Sequence, residues 1–233
     1  MRLNWVLRHS VLALTVTVGI VSAAVVSLVL SESADATISK PRAALSQSPH
    51  FVAMAIPAPQ VPGYFAENWV PLGIQNTRTI GGHEIGENEC AKVDGAGTWT
   101  QQSFSGGGGQ NVAIQDTFAF TSAGTAQAAY QNVVAGMRAC QQVTRALQAS
   151  NNMPVDATVT STASQAEAAA WKRSWTGVLG LSAAGPQTNH LYMALAGTRL
   201  IVLQFTEFPG HAAMYDVTAD PGVLSVIEAG LAR

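Results

Sequence analysis

Downstream of its N-terminal apolar segment the chain carries His50, His83, His190 and His211, and no two of them stand at the spacing that presents two imidazoles to one metal ion. No serine lies in a G-x-S-x-G elbow; the nearest string, Ser103-Phe104-Ser105-Gly106, lacks the preceding glycine. Gly106, Gly107, Gly108 and Gly109 have the composition of a phosphate cradle. Such a cradle opens onto a helix N-terminus, whereas here an alternating, strand-like run comes next, so a hairpin loop is the plainer reading. Carboxylates stand singly except around His83, where Glu84, Glu87 and Glu89 gather in a glycine-containing loop. That loop is read either as a source of acid–base groups and weak cation ligands or as a solvated turn, and its composition favours the turn.

Two further places put polar chemistry on an apolar pattern. In residues 112–120, Val112, Ile114, Phe118 and Phe120 share one face of a strand, and Asp116 interrupts that face. A carboxylate there is costly unless it is paired, hydrogen-bonded or wet. It marks either a ligand groove or a strand edge where Asp116 still meets water, and the edge is the simpler expectation. Trp171 and Trp175 stand four apart and return to the same side of a strand, with Arg173 between them, placed for cation–π stacking. Asp116, Trp171, Arg173 and Trp175 are therefore the groove candidates, and core packing is the competing reading of the tryptophans.

Composition sets limits on function. Charged residues make up 11% of the 233, well below the usual quarter or so. Arg2 and Arg8 precede residue 30 and all acidic residues lie beyond it, so the remainder carries a net charge of −4. This mild acidity argues against a nucleic-acid partner. Cys90 and Cys140, the two cysteines, read most simply as one disulfide in an exported chain, with two buried free thiols as the alternative. The pair is too small a ligand set for zinc, and no metal or other cofactor is implied.

Residues 1–30 have the form of a signal peptide or N-terminal membrane anchor: Arg2 and Arg8 flank an uncharged run, residues 11–30. A helix of this length spans about 30 Å, the hydrocarbon thickness, and the positive flank directs the downstream chain outward. Ala34-Asp35-Ala36 offers a cleavage site, yet the run exceeds a usual signal core, so both fates stay open. Residues 31–60, rich in Ser, Ala and Pro, read as linker. The remainder, residues 61–233, is the folded domain. Its organising stretch is residues 121–149, where Ala126, Tyr130, Val133, Met137, Cys140 and Leu147 recur on one helical face. Tyr64 to Leu72 reads as a short helix or docking arm, and Trp99 and Phe104 as flanks of a loop. Val155 to Ser161 reads as a half-buried strand. LYMALA and RLIVLQF flank Gly197-Thr198 as a hairpin with a type II′ turn. Asp220-Pro221 caps a short terminal helix bearing Val223, Leu224, Ile227 and Leu231. The order predicts an α+β fold: an antiparallel sheet with a long helix packed across it, a short C-terminal helix and one disulfide.

The succession of an extended run, the helix AQAAYQNVVAGMRAC, further strands, the hairpin NHLYMALAGTRLIVLQF and a short terminal helix resembles the PknH-like extracellular sensor domain of actinobacteria. Cys90 ahead of a Gly-rich region, and a Pro/Ala linker after the apolar run, are similar too. The resemblance covers roughly residues 61–233. It departs at Met137, where family members often carry Trp, and in the lack of cysteines for the second disulfide that is common among them. It implies an α+β domain with a cleft that binds an extracellular ligand. This sequence carries no kinase domain, so a signalling output needs a membrane partner, and no family binding residue carries over by motif.

The sequence is thus read as a non-catalytic extracytoplasmic sensor-like domain that binds a small molecule or an envelope component. An envelope hydrolase with an unrecognised site and a structural surface protein are the rival readings. An anchored chain begins at or near Met1 and stays with membranes through a high-salt wash. A secreted one begins near Thr37, and amino-terminal sequencing of the exported protein separates the two.

Overall fold

The computed structural model describes residues 55–107, 111–179, 183–208 and 215–231; the apolar run at residues 11–30 and most of the linker lie outside them. No helix of the described residues is long and apolar enough to cross a membrane. In chain order the elements are α1 (Tyr64–Glu67), β1 (Val70–Thr79), β2 (Ile85–Gly86), β3 (Lys92–Val93), β4 (Thr98–Ser105) and β5 (Val112–Ala119). Next come α2 (Ala123–Ser150), β6 (Thr158–Ser164), β7 (Ala168–Gly177), β8 (Gly185–Ala196), β9 (Arg199–Glu207) and α3 (Asp220–Leu231). Seven strands form one antiparallel sheet in the order β1-β4-β5-β9-β8-β7-β6, and β2 pairs with β3 in a small separate ribbon. The predicted class, an antiparallel sheet with a long helix, a short C-terminal helix and one disulfide, is the observed one.

The centre of the sheet is dictated by the sequence. Residues 200–203 of β9 are apolar at every position, so this strand must be covered on both faces. It lies between β5 and β8. Leu200 and Val202 pack in the cluster under α2, while Ile201, Leu203 and Phe205 pack in a second cluster with Leu224, Ile227 and Leu231 of α3. The β8–β9 turn has Gly197 at φ +58° and no positive φ at Thr198, as a type II′ turn requires. At the start of α2, Ser122 is the N-cap and its Oγ accepts from Thr125 N–H at 3.1 Å.

Several expectations change. Residues 98–105 form strand β4 rather than a loop, pairing along their whole length with β5. Tyr64 to Leu72 holds the short helix expected there, as α1, and beyond it the start of edge strand β1. The strand expected from Val155 begins at Thr158, since residues 156 and 157 are engaged by α2: Gln148 Oε1 accepts from the N–H of both, and Gln148 Nε2 donates to Asp156 Oδ1. That stitching also explains Leu147. Helical spacing puts it on the buried face, yet it is 44% exposed, while Thr144 and Gln148 take the inward positions. Finally, Asp220 does not serve as a simple cap: it is buried and accepts from Tyr192 O–H at 2.8 Å. Packing begins upstream of residue 61, where buried Ile56 donates its N–H to Gln115 Oε1 at 2.7 Å.

Cys90 and Cys140 are bonded, with Cα atoms 5.2 Å apart. The bond fastens the β2–β3 lobe to the C-terminal half of α2, and Ala91, Val93 and Ala96 of the lobe join the core beneath the helix. Closing a loop of this length restrains the unfolded chain by about 4 kcal/mol in the chain-entropy account. Gly136 makes the approach possible: a Cβ at that position would overlap the backbone carbonyl oxygen of Cys90. Gly136→Ala therefore tests the packing directly. Helix propensity alone favours Ala by about 1 kcal/mol, but the overlap with backbone should reverse the sign and leave the variant about 1–3 kcal/mol less stable. Urea denaturation checks this; a neutral or stabilised variant would mean that Cys90 does not lie against the helix.

Candidate functional site

The face of the sheet that carries α2 is apolar under the helix and polar beyond it. Leu200 and Val202 of β9 give way to Gln204; Leu191 and Met193 of β8 give way to Asn189; Trp171 of β7 gives way to Arg173. Strand alternation places each of these on the same side as its apolar predecessor. The register then sets them side by side. Gln101 lies opposite Asp116, Ile114 opposite Gln204, Asn189 opposite both Arg173 and Thr206. A cleft of ≈ 430 Å³ opens here, with Val112, Ile114 and Phe208 as apolar wall and Glu87, Asn189, Gln204 and Thr206 as polar groups. Its volume lies within the range of small-molecule sites.

Asp116 is not at an edge. It sits in the interior strand β5 and is 3% exposed. Its Oδ1 accepts from Trp99 Nε1 at 2.6 Å and from Gln101 Nε2 at 3.0 Å. Burial raises its pKa, and these two donors together with Glu87 offset only part of the rise. Opposite it stands Glu87, which reaches down from the lobe. The Glu87 carboxyl is raised well above the ordinary range, first by burial and then by the charge of Asp116, with which it shares a hydrogen bond. Gln204 Nε2 donates to Glu87 Oε2 at 3.2 Å and to the Glu87 carbonyl at 3.3 Å. A hydrogen bond between two carboxyls requires a proton on one of them, and the raised pKa of each favours that protonated form.

Arg173 lies on β7, three strand spacings from β5, or roughly 14 Å. It is buried, forms an ion pair with Glu89 through Nη2, and donates from Nη1 to Asn189 Oδ1 at 3.4 Å. Its guanidinium lies 5.4 Å from the ring centroid of half-buried Trp175, the stacking anticipated from the sequence. Burial works against the Glu89 carboxylate, but Arg173 and the hydroxyl of Thr144, which donates at 2.7 Å, outweigh it and hold its pKa below the usual value. Trp171 is buried in the α2 cluster.

All four groove candidates thus share one face. Asp116 and Arg173 flank the central strands from either side, Trp175 backs Arg173, and Trp171 belongs to the core. The solvated turn expected around His83 holds in part: His83, Glu84 and Glu89 are exposed, and Glu84 pairs with Lys92 at 2.8 Å. Glu87 is half-buried, and both Glu87 and Glu89 reach the sheet, because the Cys90–Cys140 bond holds the lobe over it. Sequence reasoning missed Gln204, Asn189 and Thr206. The available signal was Gln204, a polar residue on the face that Leu200 and Val202 make apolar.

The opposite face holds a second polar group. Fully buried His190 stacks on Phe205 at 4.5 Å and meets Glu207 Oε2 through Nε2 at 2.9 Å. Glu207 Oε1 accepts from Tyr215 N–H at 2.7 Å. This arrangement anchors the segment leading into α3 and reads as a structural histidine.

No family model and no curated protein matches the chain. In fold it is similar to the crystal structure of the extracellular domain of PknH from Mycobacterium tuberculosis, at 11% sequence identity over 71% of this chain and 86% of that one, with a TM-score of 0.44. At that level the likeness carries no argument about ligand or activity.

The Arg173–Glu89 pair generates a pH-dependent prediction. Arg173→Met should lower stability at pH 7 by about 1–3 kcal/mol, less than a fully buried pair would cost because the Glu89 carboxylate is partly exposed and can rehydrate. Glu89 has a depressed folded pKa, so its contribution is present above its unfolded value and is lost as the pH falls through the folded one. The penalty should therefore shrink in acid. Urea melts of both proteins at pH 7 and pH 3 check it, and an equal penalty at both would show that packing, not charge, holds Arg173.

Proposed function

We propose that residues 61–233 form an extracytoplasmic, non-catalytic ligand-binding module of the cell envelope, and that the cleft beside Gln204 is its binding site. The cleft itself carries this reading: an apolar wall faced by an amide pair, a hydroxyl and the Glu87 carboxyl, with buried Asp116 behind it. The extracytoplasmic placement rests on the positively flanked apolar run and on a disulfide that a reducing compartment would not maintain. The Glu87–Asp116 pair carries net negative charge, and the Arg173 charge is taken up by Glu89, so an anion is disfavoured. The suited ligand is small, neutral or cationic, with hydrogen-bonding groups on one side and an apolar body on the other.

One observation favours a hydrolase instead, namely that paired carboxyls with displaced pKa values at a cleft are a means of activating water. Against it, Asp116 Oδ1 is already occupied by two donors, and the Asp116 carboxyl bonds to Glu87. A general base needs a free oxygen within reach of the proton it takes.

The test is an NMR titration of the labelled domain with a monosaccharide, a small alkylamine and a zwitterionic amino acid. Shift changes are expected to gather at Val112, Asn189, Gln204 and Thr206, and Gln204→Leu should weaken binding about tenfold, as loss of a buried hydrogen bond does. Changes confined to other parts of the surface would refute the site. Turnover of ester, amide or glycoside substrates that disappears in Asp116→Asn would refute the non-catalytic reading.

A further inference from the structure

We infer that the proton shared by Glu87 and Asp116 is a latch that holds the β2–β3 lobe over the cleft, so that access to the cleft increases as the pH rises. This regulation rests on the reading of the cleft as the ligand site. The lobe is bonded to α2 at Cys90, and its tip is held together by its own turn: Glu87 N–H and Asn88 N–H donate to Ala91 O at 2.9 and 3.3 Å, and Asn88 Oδ1 accepts from Cys90 and Ala91 N–H at 2.8 and 2.9 Å. Those bonds are internal and survive if the tip lifts. The tip is joined to the cleft by Glu87, through Asp116 of β5 and Gln204 of β9.

Glu87 Oε1 is buried and receives no N–H or O–H from a donor group. The groups around the carboxyl are otherwise neutral or engaged. From β4 come Trp99 and Gln101, both donating to Asp116; from β8 comes Asn189; from β9 comes Gln204. Arg173 of β7 is paired with Glu89, α2 presents Met137 and Thr144 to the neighbouring Asn88 and Glu89, and Glu84 pairs with Lys92 at the exposed end of the lobe. Among the described residues, then, no cation is on hand to replace the proton when it leaves.

Loss of the proton sets two negative charges against each other, with Asp116 buried and Glu87 half-buried, and one of them must move. Asp116 cannot, being fixed in an interior strand by two donors, whereas Glu87 sits on a lobe tethered at one side. The tip lifts, and water reaches the cleft. The sign is fixed by linkage: both carboxyls have raised folded pKa values, so the docked state holds the extra proton. Docking is then complete below the ordinary carboxyl range, and the opening constant rises by up to tenfold per pH unit between the ordinary and the raised values, levelling off above the raised one.

The experiment uses the ligand-free domain and follows hydrogen exchange of the Gln204 side-chain amide, which lies beneath Glu87, with rates corrected for intrinsic exchange between pH 5 and 9. In the wild type, protection should fall by up to tenfold per unit from the ordinary carboxyl range upward and level off once the pH passes the raised value. Glu87→Gln keeps a donor toward Asp116 with no proton to lose, and its protection should be flat. A flat wild-type profile, or an equal slope in Glu87→Gln, overturns the latch. If that variant does not fold, ¹³C titration of the Glu87 and Asp116 carboxyls in the wild type decides. Two coupled steps displaced upward support the latch, and two ordinary carboxyl titrations overturn it. Because no ligand enters these measurements, their failure leaves the cleft as a binding site untouched, and a cleft that binds nothing leaves the latch standing.

Discussion

The close approach of the Cys90 backbone to Gly136 is the constraint on which the site depends. A two-stranded ribbon as short as β2–β3 has too little surface to hold a fixed position alone. Bonded to α2 and pressed against a helical residue with no side chain, it gains a fixed height above the sheet. That height brings the carboxyls of Glu87 and Glu89 within hydrogen-bonding reach of β5 and β7. The Gly136 position is costly for the helix and necessary for the lobe, a local conflict of the kind found where a fold serves something other than its own stability.

The polar half of the sheet face shows how a protein with few charges places some of them indoors. Arg173 is neutralised by Glu89, and Asp116 by a proton held jointly with Glu87. Each device removes one unit of charge from a site where an isolated ion would be prohibitively unfavourable. Amides do the remaining work: Gln101, Asn189 and Gln204 supply donors without adding charge. The composition of the chain, low in charge and rich in Gln, Asn, Ser and Thr, is suited to this arrangement.

Periodicity made the large elements legible. The long helix, the β8–β9 hairpin and the face shared by Val112, Ile114 and Phe118 could be read because each buries a repeating apolar set of its own. β4 could not, since TWTQQSFS turns Trp99, Gln101 and Ser103 to the same face as Asp116, and a strand with so polar a face has the pattern of a loop. Leu147 misleads for a related reason: the helix runs past the sheet at its end, where Gln148 bonding to residues 156 and 157 replaces apolar burial. Asp116 was visible as an anomaly on an apolar face. Its partner was not, because nothing local to Glu87 tells that a disulfide three residues on folds it inward.

Glu87 and Glu89 stand two residues apart on one lobe and are displaced in opposite directions. Burial pushes both upward, so it cannot explain the difference. The partner does: a second carboxyl adds to the effect of burial at Glu87, whereas a guanidinium and a hydroxyl overcome it at Glu89. The two therefore bound the docked lobe from opposite sides of the pH scale. The Glu89 contribution is lost as the pH falls through its depressed value, and the Glu87 contribution is lost as the pH rises through its raised one. Between those limits both bonds exist together, one carboxyl ionised and its neighbour protonated, and the lobe is held at both β5 and β7. A single short segment thus stands on the sheet with one charged and one neutral foot, and exchanging the residues that face them from β5 and β7 would invert which foot releases first.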